Sequence, residues 1–194
     1  MEDRAEDRKR AAKQDFLFRP LRDCSLQEGF DFREIRPDEA DQAAMIEQIC
    51  FEPDEACTEV MMRDRVQAAP ELFLVAVDRE KGSIAGFLNG IATDEGEFRD
   101  AFFSDASLHR PEGKNVMLLG LDVLPQYRRQ GLARELMSRY LHREAKRGRE
   151  LVLLTCAEDK IEMYEKMGFQ NKGISPSAWG GGQWYDMVYM LKMD

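Results

Sequence analysis

The stretch that most limits what this chain can fold into runs from Val116 to Ala133 and reads Val-Met-Leu-Leu-Gly-Leu-Asp-Val-Leu-Pro-Gln-Tyr-Arg-Arg-Gln-Gly-Leu-Ala. It opens as an apolar run of strand length, turns at Pro125, passes two arginines and enters a helix after Gly131. The free N–H groups of a first helical turn point back toward the strand that feeds it. Small residues at Gly131 and Ala133 leave that backbone open to a ligand. Such a strand, glycine turn and helix N-terminus suit a phosphate group. The spelling lacks the Gly-Lys-Ser/Thr close of a P-loop and the three glycines of the dinucleotide fingerprint. A plain corner with Arg128 and Arg129 solvated would carry the same letters, so the decision falls to later segments.

Composition narrows the classes. A length of 194 residues fits one domain with a sizeable core, here residues 30–194, after a charge-dense extension over 1–29. A formal net charge of −9 disfavours a nucleic-acid partner. No run approaches the ~20 apolar residues of a membrane span, and the N-terminus has no apolar stretch of the secretory kind. Cys24, Cys50, Cys57 and Cys156 show no metal-ligand spacing, so no metal is expected and the thiols read as cytoplasmic. Against the acidic background residues 125–150 are cationic, which suits a small polyanion.

Periodicity gives the order of elements. Phe32 to Arg36 reads as a strand, and Asp38 to Cys50 as a helix with Ala40, Ala44, Ile46 and Ile49 inward. A second helix spans about Ala56 to Ala68, using Val60, Met61 and Val66. Leu72–Val77 and Ser83–Ile91 read as a hairpin, and Ala92 to Asn115 as a polar connection anchored by Phe98, Phe102, Phe103 and Leu108. After the central strand, a helix from about Leu132 to Arg147, a strand at Leu151–Ala157 and a helix from about Lys160 to Met167 follow. Asn171 to Gln183 reads as a Gly/Ser/Pro-containing connection before a last strand, Trp184 to Met190. This order predicts a mixed sheet covered by helices.

Two signatures resemble one superfamily. Arg128-x-x-Gly131-x-Ala133 is similar to the pyrophosphate loop, Gln/Arg-x-x-Gly-x-Gly/Ala, of the acetyl-CoA-dependent N-acetyltransferases. Tyr164-x-x-x-Gly168-Phe169 resembles the Tyr-x-x-x-Gly-Phe signature of their last helix. Within that superfamily the chain looks most like the arylalkylamine (serotonin-type) enzymes over residues 31–190. The closer match rests on Ala69-Pro70-Glu71-Leu72, Leu108-His109-Arg110-Pro111, Arg128-Arg129-Gln130-Gly131 and the spacing of Cys156 from Tyr164.

The resemblance implies an α/β fold with a mixed, mostly antiparallel central sheet flanked by helices. It implies acetyl-CoA held by Leu121, Asp122, Val123, Arg128, Arg129, Gln130, Gly131, Leu132, Ala133, Arg134 and Tyr164. An amine would attack the thioester directly, through a tetrahedral intermediate. The backbone N–H of Leu121 or a neighbour would hold the carbonyl, and Tyr164 would protonate the leaving thiolate. One departure matters: the two histidines that pass the amine proton in serotonin-type enzymes correspond to Met117 and Leu119. His109 and His142 are weak substitutes, which leaves water or a carboxylate of the Phe51–Glu55 loop as base. Phe51, Glu52, Asp54, Glu55, Met117, Leu119 and Trp179 are the expected acceptor contacts, the acids favouring a cationic amine such as a polyamine and Trp179 able to stack on an arylalkylamine. The partner is then a small-molecule amine, and the protein a monomer or homodimer. A protein or peptide acceptor, or a binding domain without catalysis, are the competing readings.

Overall fold

The computed structural model describes residues 28–191. The charged extension through residue 27, with its Phe16–Leu21 cluster, lies outside the described residues. In chain order the elements are β1 (Phe30–Glu34), α1 (Ala40–Cys50), α2 (Glu59–Ala68), β2 (Phe73–Asp78), β3 (Ile84–Thr93), α3 (Ala101–Ser104), β4 (Asn115–Val123), α4 (Leu132–Lys146), β5 (Leu151–Cys156), α5 (Ile161–Lys166), β6 (Gln170–Ile174) and β7 (Tyr185–Met190).

The strands form one seven-stranded sheet in the order β1-β2-β3-β4-β5-β7-β6. Every neighbouring pair is antiparallel except β4 with β5, which are joined through α4. β2 and β3 are buried along their whole length because helices cover both faces, which is why both are mostly apolar, with Asn89 a buried polar exception within β3. One face packs Phe73, Val75 and Phe87 against Ala43, Ile46, Met62 and Val66 of α1 and α2. On the other, Leu88, Ile91 and Met117 pack against Leu136 and Tyr140 of α4.

The expected mixed, mostly antiparallel sheet is present, with several local differences. The first strand begins at Phe30 rather than Phe32, and a 3-10 turn at Pro37–Glu39 precedes α1. Ile49 is 52% and Val60 62% exposed, while Met62 is fully buried. The polar side of α2 carries Val60, and Arg65 takes an inward place that a binary pattern gives to an apolar residue. β6 falls inside the segment expected to be a connection: it is a short edge strand paired only with β7, so its polar, glycine-containing sequence meets no requirement for burial.

Candidate active site

β4 and β5 pair only at Asn115–Leu151, Val116–Val152 and Met117–Leu153. Beyond Met117 the two strands diverge, and β4 continues to Val123 with β3 alone. Between Leu118 and Gly120 the β3–β4 register shifts by one residue, a bulge on β4 at Leu119 that bends the strand. The N–H of Leu124 donates to Ala85 O on β3 at 3.0 Å. Strand alternation therefore turns the backbone of Asp122 toward β3 and that of Leu121 and Val123 toward the opening. The Val123 carbonyl there accepts from Arg128 Nε at 2.8 Å and from the Cys50 thiol at 3.5 Å.

The turn after β4 holds its shape through Tyr127. Its hydroxyl donates to Asp78 Oδ2 at 2.6 Å and accepts from Lys81 Nζ at 3.0 Å, tying the turn to the β2–β3 hairpin. Gly131 then adopts φ 88° and ψ −1° as the residue before α4, a left-handed conformation that glycine takes without a Cβ penalty. The first helical bond beyond it runs from Glu135 N–H to Gly131 O, and the Gly131 position has no side chain to cap the end. The N–H groups of Leu132, Ala133 and Arg134 precede that first bond and point out of the helix end.

A cavity of about 790 Å³ runs from this corner through the gap between β4 and β5. It brings together Leu119, Leu121, Val123, Arg128, Arg129, Gly131, Leu132, Ala133, Arg134 and Tyr164, with Phe51, Glu52, Glu55 and Trp179 at the α1–α2 end. Tyr164, 8% exposed, meets the Phe169 ring edge-on at 5.6 Å. Burial pushes its phenol above the usual range, so it carries its proton at neutral pH. Burial likewise pushes the Cys50 and Cys156 thiols up to about 11, leaving both protonated.

Four expected contacts lie outside the lining: Met117 and Asp122 are fully buried, while Asp54 and Gln130 are exposed at the surface. His109 is also outside it; its Nδ1 accepts from Ala92 N–H at 3.1 Å and its Nε2 lies 3.0 Å from Glu71 Oε1. His142 is exposed on α4.

The α1–α2 end of the cavity is roofed. The Trp179 ring stacks on Phe103 at 4.9 Å and 29°, its Nε1 donates to Glu55 O at 2.8 Å, and Trp184 Nε1 donates to Trp179 O at 2.7 Å. Asp100 accepts from the hydroxyl of Ser177 and, at 3.0 Å, from the N–H of Ala178. Burial, and then the charge of Glu52, raise the Glu55 carboxyl. Sequence reasoning gave Phe103 only an anchoring role and passed over Glu47, Arg65 and Asn89, which come from three separate elements and meet behind Gly120. No local pattern marks them.

The family model described as the acetyltransferase (GNAT) family matches residues 33–169. Mycothiol acetyltransferase of Thermobifida fusca is 38% identical over 104 residues, 52% of this chain and 29% of that protein. Serotonin N-acetyltransferase of Mesocricetus auratus is 33% identical over 96 residues, 48% of this chain and 44% of that protein. The chain thus spans less than half the length of either relative, and their two activities differ. Among solved structures, the NatC complex bound to Gag peptide and CoA aligns over 84% of this chain and 99% of that one, with TM-score 0.66 and 17% identity. Family and fold agree, and the chain belongs to the GNAT acetyltransferase family.

Proposed function

We propose that this protein transfers an acetyl group from acetyl-CoA to an amine. The observation that carries this reading is the joining, in one cavity, of a glycine-led helix start and a strand whose outward N–H groups have lost their neighbour. The N–H groups at the start of α4, with Arg128 and Arg129 beside them, fit a diphosphate. The strand gap fits an extended amide-bearing arm, and the N–H of Leu121 is the donor offered to a thioester carbonyl. Acetyl-CoA, when bound, supplies the activated acetyl group.

The chain's own residues supply the rest. Tyr164 keeps its phenolic proton at neutral pH and holds it within the cavity, where a departing thiolate is basic enough to take it. The protonated state of Cys50 and Cys156 argues against an acyl-cysteine route and for direct attack by the amine. The roof over the acceptor end favours a small primary amine, with Glu52, Glu55 and Trp179 suited to a cationic or aromatic one. A peptide or protein N-terminal amine is the second reading; exposed Glu52 and Asp54 at the cavity's α1–α2 side would meet such a chain. Release of CoA thiol from acetyl-CoA across a panel of spermidine, tyramine, tryptamine and N-terminal peptides tests both. Turnover with none of them, despite acetyl-CoA binding, would leave a binding domain.

A further inference from the structure

Directly behind Gly120, outside the cavity, lies a group of buried polar side chains that the reaction has not yet used. Glu47 comes from α1, Asn89 from β3 and Asp122 from β4, with Arg65 of α2 beside them; all four are at most 4% exposed. A Cβ placed on Gly120 would lie 3.0 Å from Asn89 Nδ2, 3.0 Å from Asp122 Oδ2 and 3.8 Å from Glu47 Oε2. Among the described residues, neither oxygen of Asp122 and neither polar atom of the Asn89 side chain has a hydrogen-bond partner. Glu47 is better served: it accepts from Cys57 N–H at 2.8 Å and faces Arg65 Nη1 at 3.5 Å. Arg65 in turn donates to Phe103 O at 2.7 Å. The Cys50 thiol is the one weak donor that faces the Asp122 carboxyl, and a fully buried carboxyl with so little to meet it is costly unless something else does.

Gly120 itself lines the cavity, and Asp122 lies directly behind it. A water held among these side chains in front of Gly120 would have Asn89, Asp122 and Glu47 as partners, the two to four polar neighbours a buried water needs.

Resting on the acetyl-transfer reading above, we infer that Asp122 receives the proton of the attacking amine, through a water beside Gly120, and so takes the part that the histidine pair plays elsewhere. As the N–C bond forms and the C–S bond breaks, the amine nitrogen passes one proton to the Asp122 carboxylate, and the departing sulfur takes one from Tyr164. Asp122 then releases its proton to solvent through the cavity, and the tyrosinate regains one the same way. Asp122 is thus a positioning residue for the proton, acting through water.

Its surroundings agree. Burial first, and then the neighbouring charge of Glu47, raise the Asp122 carboxyl well above the usual range, while Arg65, a hydrogen bond from the Cys50 thiol and Arg128 oppose that shift. The Cys50 thiol from α1, the Cys57 thiol and the Tyr164 phenol are the other titratable groups within its electrostatic reach. A proton acceptor works best when its own affinity sits near the working pH.

The test is the pH dependence of kcat/KM for the best amine, with a spectroscopic titration beside it. Wild type should show a rising limb, because the carboxylate must be ionised, at a pH well above the usual carboxylate range. Asp122→Asn should lose that limb and about 100-fold or more of kcat/KM while keeping acetyl-CoA affinity. Glu47→Gln, which removes a charge but keeps an acceptor for Cys57 N–H, should move the limb toward acid by roughly one unit. Gly120→Ala sets a methyl 3.0 Å from Asn89 Nδ2 and Asp122 Oδ2, which displaces the proposed water and should lower kcat without weakening acetyl-CoA binding. In the ligand-free protein, infrared spectroscopy should show a protonated carboxyl band titrating with the same midpoint and absent from Asp122→Asn. An unchanged limb in Asp122→Asn, or in Glu47→Gln should Asp122→Asn not fold, overturns the inference. So does the absence of the titrating band in wild type. Inactivity of wild type on every amine would instead refute the transfer reading, with the band still reporting on Asp122.

Discussion

Gly131→Val separates phosphate binding from folding more cleanly than any other single change. At φ 88° a β-branched residue is a steric outlier, and holding an L-residue in the left-handed region costs about 1–2 kcal/mol. For a chain of this size each kcal/mol lowers Tm by about 2–4 °C, so the folded protein should lose about 2–8 °C and no more. If the variant keeps the original backbone, the new isopropyl group stands at the mouth of the helix. If the backbone instead relaxes to negative φ, the N–H groups at the start of α4 swing away. Either way one or two charge-assisted hydrogen bonds to the diphosphate are lost, at about 1.5–3 kcal/mol each. At 1.4 kcal/mol per tenfold, acetyl-CoA affinity should fall by at least ~10-fold and by 100-fold or more if two are lost. Titration calorimetry gives the affinity, and circular dichroism melting gives Tm. A variant that shows the expected melting loss but binds acetyl-CoA with wild-type affinity would place the diphosphate elsewhere and refute the reading of this corner.

Tyr164→Phe should bind acetyl-CoA normally and lose ~10-fold or more in kcat, and unchanged turnover would remove the phenol from the mechanism. Trp179→Ala removes the stack on Phe103 and the bond to Glu55 O, together about 1–3 kcal/mol. It should raise KM for the amine ~5-fold or more while leaving the acetyl-CoA affinity alone; a shift in acetyl-CoA affinity instead would count against a roof over the acceptor end. Burial lowers the His109 imidazole below its ordinary value, so the unfolded chain binds more protons than the folded one near that value. Stability contributed by neutral His109 is therefore present above about pH 6.5 and declines as pH falls below it. His109→Gln should reduce the difference in Tm between about pH 7.5 and about pH 5.5 relative to wild type, and an equal difference in both proteins would refute that account.

The parts of this molecule that were legible in the sequence are those whose signals are local. The strand, turn and helix around Pro125 and Gly131 announce themselves because proline, glycine and the apolar run each act on their own neighbours. Tyr164 was legible through its fixed distance to Gly168 and Phe169. The edge strand β6 was not, because a strand with one partner and little burial is under no pressure toward β-branched residues. Ile49 and Val60 look like core letters and face outward, since the helix faces are set by what they pack on rather than by the count of apolar residues. The place of Asp122 in the motif points to a contact with the cofactor. Its buried setting depends on Glu47, 75 positions earlier, and on Asn89, so only the assembled sheet reveals it.

The short seam between β4 and β5 carries one more consequence. With ladder bonds confined to its base, the sheet is two plates hinged at Asn115 to Met117, one carrying β1 to β4 and the other β5, β7 and β6. A ligand whose amides bridge the upper part of the seam acts as a splint, so saturation should slow amide exchange in residues 151–156 far more than in the β2–β3 hairpin. At about a hundred times its dissociation constant such a ligand would add about 2.7 kcal/mol to the whole molecule.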